Sequence, residues 1–261
     1  MNLIRLALLY FRVGALNELQ YRVNFFIQLL QSLVALGVGL VGLTLVLSHT
    51  TDLNGWTRPE LLAVMGVHIL IGGLINAIIQ PNMQRLLEEV REGTLDYALT
   101  KPEDSQTIVS VREFRIWQVV DVVMGLIVLF VALLQLQAHA SLWQALAFAA
   151  ALLFGWVMIY AFWLMLTSTV FWFIRIDELV NLFEGVYAAG RWPVSIYPGW
   201  LRTGLTFLVP VAFAVTVPAE ALTNRLNWQT LLLAGALAVV LLIVARWVWR
   251  TGLRRYSGAS A

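Results

Sequence analysis

The stretch LLEEVREGTLDYALTKPEDS, Leu86 to Ser105, decides how the chain folds. It packs acids, bases, a Gly-Thr step and a proline into a sequence that is 60% hydrophobic and 12% charged. From Arg85 to Asp104 there are about nine charged side chains. At roughly 2.5–3.5 kcal/mol for each charge at bilayer depth, burying them in lipid costs on the order of 25 kcal/mol, and the few leucines offset little of it. The stretch therefore lies outside any membrane, although its surroundings do not. A soluble domain carries about 25% charged residues, and half that value marks an integral membrane protein. The absence of Cys excludes disulfides, thiol redox chemistry and Cys-ligated metals. A formal charge of +2, with bases scattered through apolar runs, argues against a nucleic-acid binder.

The charged stretch is nevertheless patterned. Pro81 is expected to open a helix, because the first helical positions have no use for an N–H. Leu86, Leu87 and Val90 then share one face, while Arg85/Glu89 and Glu88/Arg91 are spaced to pair along another. Gly93 is placed to end that helix in a left-handed conformation. Thr94 is expected to cap a short second turn, Leu95–Leu99, which Pro102 terminates. A solvated loop has no need of Leu95, Tyr97 and Leu99, so the element reads as a docking surface for a soluble partner.

Outward from this element, a crossing helix needs roughly 20 mostly apolar residues. Phe25–Leu47, Glu60–Gln80, Ile116–Leu136, Leu142–Phe173 and Trp228–Val248 qualify. With the N-terminus inside, only Arg58, Arg191, Arg202 and Arg225 of the 17 Lys+Arg fall outside, about three to one for that orientation. If Arg175 and the tail RWVWRTGLRRY are both inside, an odd number of crossings lies between Arg175 and Trp228. Of two apolar stretches, Leu179–Ala189 and Thr203–Val217, one crosses and the other turns back. The favoured arrangement has a helix over Glu178–Trp192 crossing with some tilt and the proline-bounded Pro193–Leu222 dipping into the outer leaflet and returning. The N-terminal 1–24, interrupted by Arg5, Arg12, Glu18 and Arg22, has no uninterrupted apolar core and suits an amphipathic helix at the inner interface. The expected fold is all-α and integral to the membrane, a single domain over 1–261. It has six transmembrane helices, an N-terminal amphipathic helix, a cytoplasmic coupling region over 81–112 and a re-entrant outer region over 193–222.

In this arrangement the sequence resembles the permease subunits of ABC-2-type ABC transporters, the type V exporter architecture. EEVREGTLDYALTKP is similar to that family's cytoplasmic segment between the second and third spans. WPVSIYPGWLRTGLTFLVPVAFAVTVPAEAL is similar to its re-entrant outer region, and NELQYRVNFF to the amphipathic segment before the first span. The resemblance implies a multi-pass protein of the bacterial cytoplasmic (inner) membrane with both termini cytoplasmic. It also implies a partner ABC ATPase and a second permease, identical or related. No G-x-x-x-x-G-K-[ST] occurs in the chain, whose one lysine is Lys101, so no cofactor is expected here; ATP and Mg belong to the partner ATPase. Carried over residue by residue, the coupling element comprises Arg91, Glu92, Gly93, Thr94, Leu95, Asp96, Tyr97, Leu99, Lys101 and Pro102. Leu95, Tyr97 and Leu99 would anchor the ATPase, with the charged residues at the rim.

Ionisable residues at membrane depth are functional candidates. Glu184 stands near the middle of the fifth span, with Asn181 and Tyr187 on its face and Arg191 seven residues on. That face is expected to border the pathway or the permease partner, against the alternative of a carboxyl held by internal hydrogen bonds. His68 and Asn76 lie in the second span. Asp121, about six residues beyond Arg115, could pair with it near the inner mouth, against the favoured alternative of a structural role. Gly73-x-x-x-Ala77 and Ala35-x-x-x-Gly39 permit close helix contact. Trp56, Trp143, Trp192, Trp200, Trp228, Trp247 and Trp249 read as interface anchors. His49, His68 and His139 never group at ligand spacing, so no metal site is expected. A membrane-embedded enzyme would need a motif such as H-E-x-x-H or G-x-S-x-G, which is absent. A stand-alone secondary transporter would show two related halves, and none is evident.

Overall fold

The structure, a computed structural model, describes residues 3–18, 22–136, 141–172 and 177–256, without the side chains of 3–7, 17, 22 and 177–182. The expectations for Arg5, Arg175 and His139, and for the side chain of Asn181, fall outside this description. Among the described residues eleven helices of four residues or more follow one another, with a 3-10 turn at Val194–Ile196 between the eighth and ninth: α1 Leu3–Glu18, α2 Arg22–His49, α3 Arg58–Glu92, α4 Asp96–Leu99, α5 Ser105–Ser110, α6 Ile116–Leu136, α7 Leu142–Phe171, α8 Asp177–Ala189, α9 Gly199–Leu208, α10 Ala212–Leu222 and α11 Trp228–Leu253. Outside helix, the described residues hold only an isolated bridge between Leu53 and Trp56.

Among the described residues, α2, α3, α6, α7 and α11 are long and apolar enough to cross a membrane. They match the five expected spans, but α3 corrects one boundary. The second span does not stop for a new helix at Pro81. It continues as one rod of 35 residues, Arg58–Glu92, through a π-turn at Ile75–Ile79. Pro81 has no N–H for the carbonyl of Ala77, and that carbonyl accepts instead from the Arg115 N–H at 3.0 Å. The wide turn and the outside donor together remove the reason for a break.

The core is built on α3, which is buried on all sides from Leu61 to Val67. Its most extensive packing is with α6, through glycines. A Cβ on Gly125 would lie 2.6 Å from the Leu70 nitrogen, and one on Gly73 would lie 2.9 Å from the Val122 nitrogen. Gly73 was legible as a close-contact position; its partner Gly125 lies on the opposing helix. On the other flank Gly155 of α7 admits α10, with a Cβ only 2.6 Å from the Ala214 Cα. By contrast α2 keeps most of its apolar flank exposed, including Phe26, Leu30, Val34 and Val38.

The region between α7 and α11 holds the short α8 and the pair α9–α10, which is bent by 78° at the break 209–211. Segment 184–196 follows α3 antiparallel. Gln80 donates to Glu184 at 2.9 Å and Tyr187 Oη donates to the His68 carbonyl at 2.8 Å. Beyond them, Asn54 donates to the Ser195 carbonyl at 2.8 Å. Trp56 is not an interface anchor, being 3% exposed under the Arg225 guanidinium at 4.8 Å, and Trp249 is fully buried. Trp143, Trp200, Trp228 and Trp247 are exposed as expected.

Candidate functional site: a buttressed turn and a cavity between the helices

At the basic end of the bundle, α3 ends where the sequence places it. Gly93 has φ 71° in the left-handed region, and the Thr94 and Leu95 N–H groups both turn back to the Glu89 carbonyl at 2.9 and 3.2 Å. The short helix that follows is α4, four residues long and opened by Leu95, with no side-chain cap. Thr94 thus corrects the expected cap: its carbonyl, not its hydroxyl, closes the turn by accepting from the Tyr97 N–H at 3.3 Å. Leu95 is also placed differently from the expected anchor. It is fully buried inside the chain, and Ala98 is 3% exposed beside it, whereas Tyr97 is 78% exposed. Leu99 is half-buried; Arg91, Glu92, Lys101 and Pro102 are exposed, and Lys101 donates to the Tyr10 hydroxyl of α1 at 2.9 Å.

An isolated turn of this length is unstable in water, so what holds it matters. The segment after α5 is clamped to α3 by Asn82, which the sequence reading missed. Asn82 donates to the carbonyls of Ile78 and Glu113 at 2.7 and 2.8 Å, and accepts from the Arg112 and Glu113 N–H groups at 2.8 and 3.0 Å. Arg112, its side chain 6% exposed, grips Glu89 with two bonds of 2.8 and 2.7 Å. Arg85 joins from the same helix, reaching Glu89 at 3.0 Å and pairing with Glu113. The expected Arg85/Glu89 pair is thus part of a larger network.

A second tie runs to α11. Asp104 accepts from the Thr107 N–H at 3.1 Å as the cap of α5 and pairs with Arg246, which also reaches Gln106 at 2.8 Å. The Arg246 guanidinium holds the Asp104 carboxyl below the usual range, against the opposing pull of partial burial. Gln106 and Ser110 in turn bond the Tyr160 hydroxyl of α7 at 3.2 and 2.7 Å. The α5 segment that follows the short turn is therefore tied to α3, α7 and α11 at once.

Deeper in the bundle a cavity of about 390 Å³ lies between α2, α3 and α8. Glu184, Tyr187, His68 and Asn76 all line it, so four of the five residues singled out at membrane depth come together. The Tyr187 and His68 rings stack at 4.5 Å, and the π-turn carries Asn76 to the cavity wall. Asp121 lines it too, held by hydrogen bonds and not paired with Arg115. It accepts from Gln28 at 2.9 Å and from Ser32, while Arg115 turns away to donate to Gln84 at 2.9 Å. Among the described residues no group of His, Asp and Glu could hold a metal ion.

Against known proteins, a family model described as ABC-2 family transporter protein matches residues 33–260. No match is found among curated proteins or among solved structures. The matched region takes in the apolar helices, the buttressed turn and the cavity, all but the first 32 residues and the last one. The chain belongs to the ABC-2 transporter family and is a multi-pass permease of an ABC transporter.

Proposed function

We propose that this permease is the membrane half of an ATP-driven exporter. Two copies, or one copy and a related chain, pair in the bacterial cytoplasmic membrane with both termini of each in the cytoplasm. Each rests on a separate ATPase, which carries the ATP and Mg. The observation behind this reading is Tyr97, 78% exposed on a four-residue helix whose neighbours Leu95 and Ala98 are buried. A large aromatic presented on a braced turn and rimmed by Arg91, Glu92, Asp96 and Lys101 has the make-up of an interface anchor. Leu95 acts from beneath, positioning the turn. When the ATPases close, a push on this turn passes through the Asn82 clamp to α3 and through Asp104–Arg246 to α11, tilting rigid helices together.

The test separates surface from support. Tyr97→Asp is expected to lose co-purification of the ATPase while the permease keeps its thermal stability in detergent. Leu95→Asp is expected to lower that stability, because it buries an unpaired carboxylate. Unchanged ATPase association in Tyr97→Asp would refute docking through this turn. ATP-independent transport would refute the exporter reading as a whole.

A further inference from the structure

We propose that the cavity between α2, α3 and α8 binds a lipophilic organic cation, an ammonium- or phosphonium-type centre on an apolar body. This inference rests on the permease reading only in treating such a ligand as cargo. The charge balance of the site comes first. Asp121 receives hydrogen bonds from Gln28 and Ser32, and Glu184 from Gln80, all neutral donors. No ion pair recorded among the described residues includes either carboxylate. Neither carboxylate is held by a cation at bonding distance, and a bound cationic centre supplies that partner.

The walls agree in chemistry. Trp163 and Phe183 rings lie 4.7 Å apart, Phe183 and Tyr187 stack at 5.9 Å, and Tyr187 and His68 at 4.5 Å. All four line the cavity and give it an aromatic wall suited to the ligand's apolar body. His68 Nδ1 is buried without a hydrogen-bond partner, leaving one polar atom of the wall to a ligand. Such an orphan is costly unless something occupies it part of the time. At about 390 Å³ the cavity falls within the usual range for small-molecule sites, about 300–1,000 Å³. Arg191, the cationic residue among those lining the cavity, lies in the turn just beyond the end of α8 at Ala189. It disfavours the ligand's cationic centre at that end and directs it toward Glu184 and Asp121.

The test is equilibrium dialysis of labelled tetraphenylphosphonium against the full-length permease in dodecyl maltoside, with tetraphenylborate as the same shape of opposite charge. Saturable binding of the cation, not displaced by the anion, is expected. Glu184→Gln and Asp121→Asn are each expected to weaken it about tenfold, the value of one charge-assisted contact. Arg191→Gln is expected to tighten binding, a gain that misfolding cannot produce. Displacement by tetraphenylborate, unchanged affinity in both acidic variants, or failure of Arg191→Gln to tighten would each overturn the proposal. A phospholipid ammonium headgroup offers the same chemistry as a free cation. Competition by added phosphatidylethanolamine assigns the site to lipid, and its absence assigns it to a free organic cation. ATPase co-purification, followed in parallel, separates the two proposals: lost cation binding with retained ATPase overturns the site alone, and the reverse overturns the docking turn alone.

Discussion

At the scale of single residues, Asn82 shows what a buried amide does when every lone pair and proton is used. It is 1% exposed and makes four bonds that lock Arg112 and Glu113 onto α3. Asn82→Leu keeps the volume and strands two N–H groups and two carbonyls, which is expected to cost about 2–4 kcal/mol. Thermal unfolding in detergent reads the loss, and faster amide exchange at Arg112 and Glu113 locates it. A loss below about 1 kcal/mol would show that water replaces the clamp. Gly93 was legible from sequence because its left-handed φ is a local demand that glycine meets. Asn82 was not, because its partners lie 30 and 31 residues downstream and no local rule pairs them. Leu95 and Tyr97 share an apolar character and differ in which way the turn faces them, so the sequence grouped a buried internal side chain with an exposed aromatic.

At the scale of elements, helix length was legible wherever apolar runs were long, and misjudged where tertiary contacts overrode a local breaker. Pro81 reads as a helix start, yet α3 runs through it because Arg115 satisfies the carbonyl of Ala77 from another segment. The pairing of α3 with α6 depends on glycines in the same way, through closeness rather than conformation. Gly125→Ala would set a Cβ 2.6 Å from the Leu70 nitrogen and 2.8 Å from its Cα, backbone atoms that cannot step aside cheaply. A net destabilisation of about 1–3 kcal/mol is expected. The control is Gly37→Ala on α2, where nothing lies within 4 Å of the new Cβ. There the usual helix preference for Ala over Gly applies, and a change between zero and about 1 kcal/mol in the stabilising direction is expected. Thermal melts of the two variants should therefore move in opposite directions. A shared direction would mean that the α3–α6 contact is looser than the backbone approach implies.

At the scale of the whole molecule, the question is which segment between α7 and α11 crosses the membrane. Composition settles five crossings but leaves two short stretches, because neither has the length of a span. Packing favours α8: from Glu184 to Ser195 the chain runs from beside Gln80 of α3 to Asn54 ahead of that helix, away from the turn at Gly93. The pair α9–α10 is bent by 78°, and its break is covered by protein, with Val209 9% exposed and Val211 fully buried. Irregular backbone is tolerated at membrane depth only under such cover. If α8 crosses and α9–α10 turns back, Trp200 and Asn224 lie on the same side. If the bent pair is itself a crossing, they lie on opposite sides. Because the chain contains no Cys, single reporters can be introduced without background. In intact cells, Trp200→Cys and Asn224→Cys are both expected to react with a membrane-impermeant maleimide. Glu88→Cys, exposed on the last turns of α3, is expected to react only after permeabilisation. Labelling of Asn224→Cys alone would make the bent pair the span. That outcome would remove α8 from the count, because an odd number of crossings must still lie between Arg175 and α11 for the basic ends to share one side.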